Sequence, residues 1–285
     1  MIKTSFIPRV ALALCIVFCS CNNNSKNDDG NQINDSLAAL KDTTPAGDMA
    51  VYHFTYITGN LMSTSPIEML DEFAKSNLPA DVGLLNPAEN VDNYHTSMKQ
   101  AFNYGIYGVD LGYLVVNNRT LDVIKYYSTA KKLAEQLNMS ETFNRFVDRF
   151  EGNKENKDTL SRVIDEAYGA TDEYLRTNER LETASEVLAG SWIECQYITV
   201  NLLKNAERNS TTETLFQRVW EQRLYLDNIS KLLGEFKNAD LTPIKKDFES
   251  LLAIYKEPVD ANAINKDFLN KLSEKLKAVR EGIIK

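Results

Sequence analysis

The sequence predicts an all-α protein, an irregular bundle of about eight or nine mainly antiparallel helices. Three observations lead there. From about residue 51 onward, long segments carry apolar residues at three- and four-residue spacing. The breaks between them are short and rich in Asn, Gly and Pro, and short connections favour antiparallel neighbours. The strand-like run Val51-Tyr52-His53-Phe54-Thr55-Tyr56-Ile57 stands alone, with no second run of like pattern to pair with, and reads as an extended lead-in or a short first helix. A composition of 43% hydrophobic and 25% charged residues excludes collagen-like, disordered and disulfide-scaffold classes. The net charge of −8 argues against a nucleic-acid partner, which needs a basic face.

The first twenty residues read as an export signal. Lys3 and Arg9 give a positive start, and Val10 to Phe18 is an apolar run too short to span a bilayer. Phe18-Cys19-Ser20-Cys21 resembles a bacterial lipobox, with Cys21 as the lipid-accepting residue behind the small Ser20. Cleavage before Cys21 leaves Cys195 as the only unmodified cysteine, so the folded part has no intramolecular disulfide and depends on its core. Two or more acyl chains on Cys21 would give stable membrane attachment. Residues 21–50 are polar, cannot offset their ordering entropy, and read as a flexible tether. Within it, Lys26 followed by Asp28-Asp29 resembles a surface-export signal of Bacteroidetes lipoproteins, or is a plain acidic linker. Asp35-Ser36-Leu37 and Asp42-Thr43-Thr44 are similar to O-glycosylation sites of that phylum.

Residues 51–285 read as a single helical domain. Ser65-Pro66-Ile67-Glu68 has the cap, the first-turn proline and the returning acid of a helix start, and that helix should stop before Pro79. Further helices are expected at about 96–117, 120–138, 140–151, 157–176, 179–206, 212–236, 242–256 and 265–284. Their breaks fall at Asn117-Asn118, Gly152-Asn153, Asn209-Ser210, Asn238-Ala239-Asp240 and Pro258. No tetratricopeptide register fits.

Three blocks stand out: Thr64-Ser65-Pro66-Ile67-Glu68-Met69, the run from Tyr104 to Tyr113, and Gly190-Ser191-Trp192-Ile193-Glu194. In that order they resemble an uncharacterised family of Bacteroidetes all-helical lipoproteins, over about residues 52–206. The resemblance implies a helical fold and an envelope location, and no chemistry.

At 100° per residue, Ala101, Gly105, Gly108 and Gly112 share one face of their helix. Three glycines cost about 3 kcal/mol in helix propensity. Close helix packing repays that, or a ligand lying against the bare backbone. On the same helix Asp110 lies on a polar stripe with Lys99, Asn103 and Asn117, while the other directions are largely apolar; the stripe is a solvent or structural seam, or lines a cleft. Glu194 sits between two apolar faces of its helix with no Lys or Arg three or four residues away. If buried, it needs a tertiary partner or a raised pKa. Cys195 points into the core stripe and reads as a small hydrophobe. With only His53 and His95, far apart, no transition-metal site and no His-activated nucleophile is expected. No nucleotide motif occurs, and no cofactor is implied. Asp110, Glu194, Tyr113, Trp192, Gly108 and Gly112 are the candidate binding residues, with no catalytic residue assigned. The expected function is that of an outer-membrane-anchored envelope module that binds an unidentified protein or small molecule. The alternatives are a carboxylate-dependent enzyme acting on a glycan through Asp110 and Glu194, and a structural envelope protein.

Overall fold

The computed structural model describes residues 75–285 together with Met69, Glu72 and Phe73, all within one compact unit. The signal, the Cys21 anchor, the tether, the Val51–Ile57 run and the Ser65-Pro66 cap lie outside the described residues. Met69, Glu72, Phe73 and Lys75 are helical, and the chain turns at Ser76-Asn77, ahead of Pro79.

Nine α-helices follow, and no strand occurs among the described residues. They are α1 Ser97–Val116, α2 Thr120–Gln136, α3 Ser140–Asn144, α4 Val147–Glu151, α5 Lys157–Thr177, α6 Leu181–Leu203, α7 Glu213–Gly234, α8 Thr242–Tyr255 and α9 Lys266–Ile284. Two 3-10 turns, Val82–Leu84 and Ala88–Asn93, precede α1. Side-chain caps begin three of the helices: Thr96, Asn156 and Asn265 accept the N–H groups of Lys99, Thr159 and Phe268. The stretch expected as one helix over 140–151 is two. The Phe146 N–H bonds the Phe143 carbonyl, three residues back, and breaks the ladder, while Phe143, Phe146 and Phe150 all stay packed on the core.

Three junctions repeat one device. Asn118, Asn138 and Glu179 have φ of 56°, 56° and 58°. Behind each, the next N–H reaches five residues back, from Arg119 to Leu114, Met139 to Ala134 and Arg180 to Leu175. These are Schellman caps, in which one left-handed residue satisfies orphan carbonyls and reverses the chain. Arg180 also donates to the Leu137 carbonyl, tying the end of α5 to the end of α2.

α1 and α6 form the centre, and nearly every position of both is buried. They cross where each has a glycine. A Cβ on Gly105 would stand 2.1 Å from the Val187 carbonyl oxygen, and one on Gly190 2.0 Å from that of Phe102. Ser191 Oγ, bonded to the Val187 carbonyl of its own helix, also lies 3.2 Å from the Gly105 carbonyl oxygen. α9 runs antiparallel to both: Arg280 meets Glu194 and Ser273 meets Asn201, while Ile283 meets Asn103. The central pair α1 and α6 is therefore parallel, an exception within a bundle whose successive helices mostly reverse.

Two outcomes are expected. Gly190→Ala forces the central backbones apart and should lower unfolding stability by about 3 kcal/mol or more. Glu179→Gly relieves a left-handed residue that has a side chain and should raise it by about 1 kcal/mol. Urea unfolding of a soluble fragment from Thr44 onward checks both.

Candidate functional site

Asp110 on α1 and Glu194 on α6 both have zero solvent exposure. They reach the same point because α1 and α6 are parallel and in contact, which brings the polar stripe of one against the flank of the other. Arg280 of α9, 5% exposed, closes the third side. Its Nε donates to Glu194 Oε2 at 2.5 Å and its Nη2 to Oε1 at 2.6 Å, a two-pronged pair. Nη2 also donates to the Leu84 carbonyl at 3.0 Å, and the guanidinium carbon lies 4.5 Å from the Tyr197 ring centroid.

The segment before α1 completes the enclosure. The Asn86 backbone N–H donates to Asp110 Oδ2 at 3.1 Å. The Asn86 side chain, itself at zero exposure, donates to the Tyr94 hydroxyl and to Asn103 Oδ1, and accepts from Asn90. Asn103 in turn donates to the carbonyls of Lys99 and Ile283. The middle of the α1 polar stripe, Asn103 and Asp110, is thus a buried seam covered by the 82–93 segment and the end of α9, while Lys99 and Asn117 are half-buried.

Two carboxyls share one guanidinium here. Glu194 spends both oxygens on Arg280 and supplies the charge that cation needs. Asp110 is pushed well above the ordinary aspartate range, first by burial and then by the Glu194 charge; Arg280 and the Asn86 N–H pull the other way and do not win. Asp110 Oδ1 has no hydrogen-bond partner. For Arg280 the balance is reversed. Burial alone would lower it, but Glu194, with Asp110 and Tyr197 in support, holds it above its usual value.

The other candidates are dispersed. The Tyr113 hydroxyl accepts the Asp81 N–H at 2.9 Å and its ring meets Phe73 edge-on, which ties α1 to the turn before it. Trp192 faces away from Asp110, donating to Gln222 of α7 at 2.8 Å and packing on Phe248 and Tyr255 of α8. A Cβ on Gly108 would meet the Tyr168 hydroxyl oxygen at 2.0 Å, so that surface is already taken by α5; Gly112 is buried. The Cys195 thiol is pushed up to about 12, chiefly by burial, and is inert as a nucleophile near neutral pH. His95 is exposed, and no His/Cys/Asp/Glu cluster able to hold a metal occurs among the described residues.

Sequence reasoning missed Arg280, Asn86 and Glu186. Arg280 left a trace, a cation inside the Leu272, Leu276, Val279, Ile283 stripe of a helix with many exposed lysines. Glu186 of α6 is 3% exposed, and its carboxyl is pushed up to about 8 by burial and then by Glu182. No family model, curated protein or solved structure matches the chain.

The two acids should respond oppositely to neutralisation. With its native pKa raised, Asp110 contributes fully below the unfolded value near 3.8, and that contribution is lost as pH rises toward the native value. Asparagine mimics the protonated acid. Asp110→Asn should match wild type near pH 4 and become the more stable protein as pH rises, at up to about 1.4 kcal/mol per unit. Glu194→Gln strands Arg280 and should cost about 3 kcal/mol at pH 7. Urea midpoints across pH 4–9 measure both.

Proposed function

We propose that the chain is a lipid-anchored envelope protein whose folded part is a non-catalytic binding module. The observation that carries the non-catalytic reading is the state of the two acids. Asp110 and Glu194 both have zero exposure, and Glu194 is consumed by Arg280. Glycoside hydrolysis needs room for sugar or water between its carboxyls, so this sealed pair supports structure better than turnover. Among the described residues, the large apolar side chains left exposed, Val82, Leu121, Ile124, Leu224 and Val259, sit on four separate segments. A binding role therefore draws its support from recesses in the bundle more than from a broad apolar face.

The anchor rests on the lipobox-like Phe18-Cys19-Ser20-Cys21, on the polar residues behind it and on the three blocks that resemble Bacteroidetes lipoproteins. No helix among the described residues is long and apolar enough to cross a membrane, so a lipid on Cys21 is the attachment this reading requires. Detergent-phase partitioning of protein expressed in a lipoprotein-processing bacterium tests it. Wild type should enter the detergent phase, and Cys21→Ala should move at least nine-tenths of the protein to the aqueous phase. Equal partitioning of the two would overturn the anchor. Because the acids do lie together, the carboxylate-enzyme reading keeps one observation in its favour. Turnover of a glycan that is abolished by a folded Asp110→Asn protein would establish it over the binding module.

A further inference from the structure

On a face of α1 distinct from the one that carries Asp110, a partly open recess of about 50 Å³ lies between α1, α2, α5 and the α3–α4 pair. Six aromatic rings line it: Tyr104, Tyr127, Phe143, Phe146, Phe150 and Tyr168. Its other lining residues are aliphatic or glycine, with no charged or amide side chain among them. Two of the phenol oxygens are already engaged, Tyr104 with Thr171 and Tyr168 with the Gly105 carbonyl, and that of Tyr127 is closed off from solvent. Apolar cavities of this kind do not retain water, and their walls forgo dispersion contacts on the open side. Four of the rings, Tyr127, Phe143, Phe146 and Tyr168, are only half-buried. Apolar ring surface is therefore left for an occupant to cover.

Resting on the binding-module reading, we propose that this recess is the ligand site and that it takes the unbranched alkyl end of an amphiphile, whose polar head stays in solvent. The volume sets the width. A cavity that takes a benzene ring measures about 150 Å³, whereas one of this size holds roughly three or four methylene-sized groups. The lining sets the chemistry, since a polar group carried inside would find no partner and would keep its desolvation cost. The opening leaves the head and the rest of the chain outside.

The experiment uses the full chain carrying Cys21→Ala and follows aromatic proton–carbon NMR shifts during titration with the straight-chain alcohols from 1-propanol to 1-octanol and with cyclohexanol. Saturable shifts are expected at Phe143, Phe146 and Phe150. Affinity should rise about fourfold with each carbon while the chain fills the recess, and level off after about the fifth. A surface that merely attracts alkyl chains has no such ceiling. Cyclohexanol should bind about tenfold more weakly than 1-pentanol, because a ring overpacks the recess. Ile164→Val, which removes one methylene from the wall, should move the ceiling out by about one carbon. Ala167→Leu, which fills the recess from α5, should abolish binding. Should that variant misfold, the ceiling and its movement in Ile164→Val decide alone. No saturable shift with any alcohol would overturn the site and leave the binding-module reading standing, since that reading is lost only to demonstrated turnover. An affinity still climbing at 1-octanol, a ceiling that Ile164→Val leaves in place, or cyclohexanol binding as well as 1-pentanol would overturn the alkyl assignment.

Discussion

A guanidinium taken out of water costs several kcal/mol unless charge and hydrogen bonds replace what the solvent gave it. Arg280 meets that condition through parts of the chain remote from one another in sequence. Glu194 lies 86 residues away and Leu84 196 residues away. The stacked Tyr197 adds a third contact from the same helix as Glu194. Loss of Glu194 would leave a bare cation in the core, and loss of Arg280 a bare acid. Closure of α9 onto α1 and α6 is therefore the step that makes the central acids tolerable, and the helices that hold them are too apolar to stand alone in water. Contacts of such long sequence separation are costly to form early, so local helices should precede this closure in folding.

The arrangement holds one acid more than its cation can balance. Burial and the Glu194 charge push Asp110 toward its neutral form, which still receives the Asn86 N–H on one oxygen. The solution works only while the proton stays. This links the stability of the core to pH through a group with zero exposure.

How much of this the sequence carried depends on how local each feature is. The caps at Thr96, Asn156 and Asn265, the breaks at Asn118 and Asn138 and the all-round apolar character of α1 and α6 are written within a few residues, and the helix boundaries follow from them. The glycines announced a close approach without naming its partner, because Gly105 and Gly190 belong to helices separated by four others. The same limit hid Arg280. Glu194 visibly needed a counterion, but an ion pair spanning 86 residues has no spacing for a pattern to reveal. The parallel course of α1 and α6 escaped for a related reason, since short loops orient only consecutive helices. The split of 140–151 is tertiary in origin: Phe143, Phe146 and Phe150 all pack on the core, and the ladder yields at the turn between the first two.

The ion network and an aromatic recess lie on different faces of α1. On one, Asp110 and Asn103 are fixed to α6, α9 and the preceding turn; on the other, Tyr104, Gly108 and Leu111 wall the aromatic recess. A helix held so firmly by one face gives the recess an immobile wall, so an occupant meets little reorganisation there. The facing wall is different. α3 and α4 are five residues each, too short to hold helical form without tertiary support, and their phenylalanines are what they contribute to the core. Any adjustment of the recess to its contents therefore falls on α3 and α4, and the ion network behind α1 stays undisturbed.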